Sequence, residues 1–221
     1  YPKIPNAEKI SIEDLLHHRT GIVDYINQDT IINVYSKHAH SEMIEKITAY
    51  PPLFEPGTKY EYSNSNYYLL GTIIEKLTKK TYAENLQDRI VKKANLVNTY
   101  YHENKTDTNW GESYSYMFNG TEWEKFAEWD NSSAFSSGGI TSTAADLTRF
   151  MHVLFEGKLI NTISLEAMKL LKQGAGKALF PIPFGERRFF GHTGKIETFR
   201  TVVGYYPAEK TGVSLIVNGD N

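Results

Sequence analysis

Apolar positions recur at helical spacing through the first three quarters of the chain. Tyr67, Leu70, Ile73, Ile74 and Leu77 fall on one helix face, with Lys76, Lys79 and Lys80 near its end, where cations suit the helix dipole. Leu147, Phe150, Met151, Leu154 and Phe155 form a second such face, and Gly157 reads as its stop. Polar signals mark the starts. "SIED" (Ser11 to Asp14), "TYAE" (Thr81 to Glu84, leading "NLQDRIVKKANL") and "TAAD" (Thr143 to Asp146) have the form of capping boxes. Ser41 is expected to cap "EMIEKITAY", and Ser164 a helix reaching about Lys172.

The pattern then changes. "ERRFFGHTG", "TFRTVVGYYP" and "TGVSLIVNG" are rich in β-branched and aromatic residues, and "PAEKTG" reads as a hairpin turn. Residues 102–137, rich in Asn, Ser, Tyr and Trp, read as a long irregular loop, and loops of that length more often serve a function than none. No repeat or polar linker divides the chain. The expectation is one α+β domain over 1–221: a mainly helical region, 1–175, packed against antiparallel strands in 176–221.

The stretch "YEYSNSNYY", residues 60–68, supports two readings. Ser63, Asn64 and Ser65 stand where side-chain oxygens cap the following helix. Yet one cap needs one such residue, and here several gather beside a phenol, as in the wall of an active site. Spacing alone leaves both open.

Composition narrows the classes. The chain has 221 residues, 40% of them hydrophobic and 13% aromatic, enough for a real core. A net charge of −2 gives no electrostatic case for nucleic acid or an anionic membrane. Without cysteine there is no disulfide, thiolate metal site or cysteine nucleophile. No apolar run approaches the roughly 20 residues of a membrane span. The first residues, "YPKIPNAEKI", show no signal peptide, and both ends read as mid-domain sequence.

Candidate chemistry is sparse. His17, His18, His38 and His40 lack the spacing of a helix zinc site, and H-E-x-x-H is absent. "SSGGITS" (Ser136 to Ser142) is no phosphate loop and reads as a turn before a helix; G-x-S-x-G does not occur. Asn104, Asn119 and Asn131 open N-x-[ST] sequons, meaningful only in a eukaryotic secretory protein. "GHTG" (Gly191 to Gly194) is more promising. An edge strand with His, a Thr hydroxyl and flanking glycines can pair with an extended substrate backbone. It can equally be a plain strand end.

In order, "ISIEDLLHHRTGIVDY", "PGTKYEYSNSNYYLLGTIIEKLT", "SSGGITSTAADLTRFMHVL" and "FGHTGKIETFRTVVGYYP" resemble the serine β-lactamase-related family over nearly the whole chain. That family includes class C β-lactamases, D-Ala-D-Ala carboxypeptidases and related esterases. Tyr62-Ser63-Asn64 is similar to its Y-[SA]-N element and His192-Thr193-Gly194 to its K/H-T-G element. The resemblance implies a β-lactamase/DD-peptidase-like fold and an acyl-enzyme mechanism without a cofactor or metal. Tyr62 would be the proton shuttle, its pKa lowered by neighbouring cations, and Asn64 an amide contact to substrate. Thr193, beside Gly194, would bind a substrate carboxylate, and His192 would polarise that region. The backbone N–H of Lys195 would serve the oxyanion hole. Ser63 and Ser65 would keep the capping role.

The family's nucleophile lies in S-x-x-K, and no Ser or Thr here is followed three positions later by Lys. By family order that motif, its helix and the first strands are expected before Tyr1, and the last helix after Asn221. The chain alone is therefore expected to be inactive. The full-length protein is expected to be an extracytoplasmic hydrolase of D-Ala-D-Ala-type peptides or esters. His192, where β-lactamases of this type carry Lys, argues against a dedicated β-lactamase. A non-catalytic binding or sensory module is the alternative.

Overall fold

The computed structural model describes residues 1, 3–26 and 31–220. Short helix α1 (Ile12–Leu16) opens on a complete capping box between Ser11 and Asp14. Helices α2 (His40–Thr48) and α3 (Asn64–Thr78) follow. After the reciprocal Thr81–Glu84 box, α4 (Tyr82–Leu86) widens into a π turn, Gln87–Val91, and finishes as α5 (Lys92–Ala94) before left-handed Asn95. Next come strands β1 (Tyr116–Phe118) and β2 (Trp123–Lys125), then helices α6 (Asn131–Gly138), α7 (Ala144–Phe155) and α8 (Thr162–Lys169). Strands β3 (Phe180–Phe184), β4 (Arg187–Ile196), β5 (Phe199–Tyr206) and β6 (Thr211–Val217) form an antiparallel sheet in that order. A final strand, β7 (Gly219–Asp220), lies parallel to β1, so the small sheet runs β2-β1-β7.

Among the described residues, two of three buried clusters flank the cleft's elements, the third being Leu86, Val91, Ala94 and Leu96 around the π turn. Tyr25, Met43, Ile47, Tyr68, Leu69 and Phe135 fill the first, between α2, α3 and α6. Met151, Leu179 and Tyr205 fill the second, where Phe190 and Val203 of the sheet meet α7. Gly71 lets α3 approach α6: a Cβ there would collide with the side chains of Ser136 and Phe135. Ser136 Oγ uses that proximity to donate to the Tyr67 carbonyl at 2.8 Å. On the sheet face turned away from α7, alternate β6 residues Val213, Leu215 and Val217 stay 38–56% exposed.

Several boundaries differ from the sequence expectation. Helix α2 starts at His40, and its N-cap Ala39 has no side-chain bond, so Ser41 is inside the first turn. Asn161 Oδ1, not Ser164, caps α8, accepting from the Ser164 N–H at 2.8 Å. Thr143 caps α7, but Asp146 does not complete the box; its carboxylate accepts from Asn98 N–H and Thr99 Oγ1 instead. The span 102–137 contains β1, β2 and most of α6 rather than irregular loop alone. Ser63 and Ser65 do not cap α3; both hydroxyls donate to the Val23 carbonyl, at 3.2 and 2.6 Å.

Candidate active site

The turn before α3 is built on the segment 16–25. The His18 carbonyl accepts from the Glu61 N–H at 3.0 Å, and its ring Nδ1 lies 3.2 Å from the Ser63 N–H. That ring is sandwiched between Tyr62, with centroids 4.3 Å apart, and Tyr67, at 5.0 Å. Burial pushes the His18 imidazole down to about 4, so it is a neutral aromatic spacer at ordinary pH. It fixes the plane of the Tyr62 ring.

Asp24 holds the next residue. Its carboxylate accepts from Asn64 Nδ2 at 3.0 and 3.3 Å, from the Asn64 backbone N–H at 3.3 Å and from the Ile26 N–H at 3.1 Å. The backbone contact makes Asp24 the N-terminal partner that α3 does not find in Ser63. Burial raises the Asp24 carboxyl above the usual carboxylate range, and the hydrogen bonds from Ile26 and Asn64 only partly oppose it.

Across from this turn lies β4. The His192 ring meets Phe180 edge-on at 4.9 Å and Tyr62 at 6.2 Å. In register, β3 begins at Phe180 opposite Gly191, so among the described residues β4 has no strand partner on that side from His192 onward. Strand β5 continues on the other side, with Thr193 opposite Val202 and Lys195 opposite Arg200. The strand is therefore interior to the sheet at its start and an edge where the His-Thr-Gly element lies. All six residues singled out in the sequence, Tyr62, Asn64, His192, Thr193, Gly194 and Lys195, line one cleft of about 1740 Å³.

One electrostatic expectation is corrected. Burial first, then the charge of Asp24, pushes the Tyr62 phenol up to about 12 rather than down. No described residue makes a hydrogen bond to its hydroxyl. Burial also lowers the His192 imidazole from its ordinary value, which favours the neutral ring. A phenol in this state holds its proton at neutral pH. It is ready to give one, and needs a cation beside it to take one up.

The opposite wall is aromatic and acidic. Glu112 accepts from the Tyr100 hydroxyl at 2.7 Å, His102 Nε2 at 2.8 Å and the Asp107 N–H at 2.6 Å. Burial opposes ionisation there, but those donors together hold its carboxyl below the usual range. Trp110 stands at 74% exposure with its ring edge-on to Tyr100. The positioning residues His18 and Asp24, and this wall, were not assigned from sequence. The only signal was that both sit in the block "LLHHRTGIVDY", and nothing in its spacing says which side chain turns inward.

A helical region against an antiparallel sheet, with Tyr-Ser-Asn facing His-Thr-Gly across the cleft between them, defines the β-lactamase/DD-peptidase class of fold. The family model for Beta-lactamase matches residues 2–221, and the chain belongs to that family of hydrolases. The chain is 25% identical over 167 residues to the putative penicillin-binding protein PbpX of Bacillus subtilis, covering 76% of this chain and 41% of that protein. A putative D-alanyl-D-alanine carboxypeptidase of Salmonella newport is 31% identical over 102 residues, covering 45% of this chain and 23% of that protein. The chain thus spans less than half the length of these relatives. Among solved structures, D-amino acid amidase from Ochrobactrum anthropi SV3 complexed with L-phenylalanine amide superposes with a TM-score of 0.86 at 26% identity, over 99% of this chain and 67% of that one. A penicillin-binding protein from Bacillus halodurans, 18% identical with a TM-score of 0.82, shares the fold.

Proposed function

We propose that the full-length protein is a serine hydrolase of the penicillin-recognising type, working through an acyl-enzyme on D-Ala-D-Ala-type peptides, related esters or amino acid amides. The observation that carries this reading is the convergence of Tyr62 and Asn64, at the start of α3, with His192 and Thr193, at the open edge of β4, on one cleft. The residue types suit the chemistry. Attack by a serine hydroxyl needs a proton taken up, and departure of the leaving group needs one returned. Tyr62 is the proton shuttle in this scheme. Its pKa falls into range once a lysine ammonium stands beside it, as S-x-x-K supplies. Thr193 and the free edge around it hold the substrate backbone, and the Lys195 N–H donates to the developing oxyanion.

No Ser or Thr in these 221 residues has Lys three positions on, so the polypeptide by itself is expected to be inactive. The carboxypeptidase and amidase relatives favour peptide or amide turnover over β-lactam turnover. Their cell-wall associations favour an extracytoplasmic site of action. Full-length protein should form a covalent adduct with a fluorescent penicillin. It should also cleave at least one of a D-Ala-D-Ala peptide, phenylalanine amide or a p-nitrophenyl ester. Full-length protein that neither labels nor cleaves would leave a non-catalytic binding module as the reading.

A further inference from the structure

Phe180 meets both walls of the cleft: its ring lies 4.9 Å from that of His192 and 6.4 Å from that of Tyr62. It opens β3, and the segment before it, 170–179, joins α8 to the sheet. Backbone bonds fold that segment on itself. Lys172 and Ala175 pair with each other, and the Gly176 N–H donates to the Leu179 carbonyl at 2.8 Å. Side chains from α1 and the residues just after it then tie the segment to the helical region. Glu13 Oε1 accepts from Lys172 Nζ at 2.6 Å and lies 3.6 Å from Lys177 Nζ. Arg19 spans both approaches to the cleft. Its Nη1 donates to Gln173 Oε1 at 3.2 Å, and its Nη2 to the Gly57 carbonyl, in the turn that leads to Tyr62. The Gly57 N–H returns a bond to the Arg19 carbonyl at 2.8 Å.

Glu13, Arg19 and Gln173 are not among the residues that line the cleft. One exposed ion pair holds little on its own. Here two lysines share one carboxylate oxygen, and a planar guanidinium fixes two acceptors at once, a geometry an ammonium does not reproduce.

We infer that Glu13 and Arg19 are positioning residues: they clasp 170–179 to α1 and to the turn before α3, and so set the spacing across which Tyr62 and Asn64 face His192 and Thr193. The effect on turnover rests on the acyl-transfer reading; the clasp itself does not.

Gln173→Ala and Glu13→Gln cut the clasp at two points without touching a residue of the cleft. Ala keeps the Cβ that Gln173 already carries at φ 53°, so the backbone there is no more strained than before. Glu13→Gln spares the α1 capping box, which belongs to Ser11 and Asp14. Asp88→Asn is the control. Asp88 likewise grips two lysines, Lys80 at 2.7 Å and Lys92 at 2.8 Å, neither of them in 55–62 or 170–179.

Full-length protein carrying both Glu13→Gln and Gln173→Ala should be acylated by a fluorescent penicillin about 10-fold more slowly than wild type, since small misplacements of reacting groups suffice for such losses. Asp88→Asn should match wild type. Gln173→Glu, which still answers the guanidinium, should keep the wild-type rate, whereas Arg19→Lys, with one ammonium for two acceptors, should not. A wild-type rate in the double variant, or the same loss in Asp88→Asn, would overturn the inference.

Hydrogen exchange read by mass spectrometry reports on the clasp without turnover. Arg19→Ala should speed exchange in both 55–62 and 170–179, and Asp88→Asn in neither. Unchanged exchange in 170–179 would also overturn it. Should wild type fail to label while Arg19→Ala still speeds exchange on both sides, the acyl-transfer reading fails and the clasp stands.

Discussion

Tyr62 illustrates how one side chain depends on its surroundings. Its ring is held by stacking on His18 and no described residue bonds its hydroxyl, so Tyr62→Phe removes the proposed proton shuttle and leaves the ring in place. Acylation in the full-length protein should fall about 10²- to 10⁴-fold with the fold intact. Near-full activity in a stopped-flow acylation assay would remove the shuttle role. Asn64→Ala should cost both rate and substrate affinity. His18 yields a second expectation. Its folded pKa, about 4, lies below the ordinary 6.5, so between those values the unfolded chain binds more protons. Stability should therefore fall as pH drops through that window, by up to about 3 kcal/mol from this group. Buried His17 and half-buried His192 are lowered as well and push the same way. Urea midpoints at pH 7.5, 6 and 4.5 test it, and His18→Asn should flatten the acid limb. An acid limb equally steep in the variant would sink this account.

Helices and strands show where local signals suffice. The Ser11 and Thr81 boxes form as written, because all their partners lie within one turn. The start of α3 falls where Ser63 to Ser65 mark it, but its capping carboxylate, Asp24, arrives from 40 residues away. Strand β3, "FPIPF", was not foreseen: Pro181 and Pro183 argue against a strand, yet an outermost strand tolerates them. Strand β1 has its parallel partner about a hundred residues on, which no local pattern can announce. The backbone of Phe135, at φ 42° and ψ −127°, is likewise set by tertiary packing, with its ring against His40, Tyr68 and Tyr82. Of the site, the motifs were legible and the residues that aim them were not. The α3–α6 contact gives an element-level test. Gly71→Ala has no room for its methyl beside Ser136 and should destabilise by about 1–3 kcal/mol in urea melts, and a neutral result would show that the helices yield freely.

At the scale of the molecule, the helical region and the sheet meet along the cleft, so anything that loosens their packing also widens the site. The bare stripe of Val213, Leu215 and Val217 runs along the sheet face away from α7. Contiguous apolar surface of this kind favours association. The 221-residue polypeptide expressed alone should accordingly elute as oligomer or aggregate in size-exclusion chromatography and leave nitrocefin intact. A soluble monomer that turns nitrocefin over would mean that the nucleophile has been misplaced. The unpaired stretch of β4 carries a different consequence. A strand edge has a fixed direction and two distinct sides, one toward α7 and one away from it. For a substrate backbone hydrogen-bonded along His192 to Ile196 in a given sense, each α-carbon points its side chain to one side or the other according to its handedness. Mirror-image substrates laid on this edge in the same sense would thus no longer be equivalent, and a preference between D and L residues would arise in the strand before any side-chain pocket is consulted.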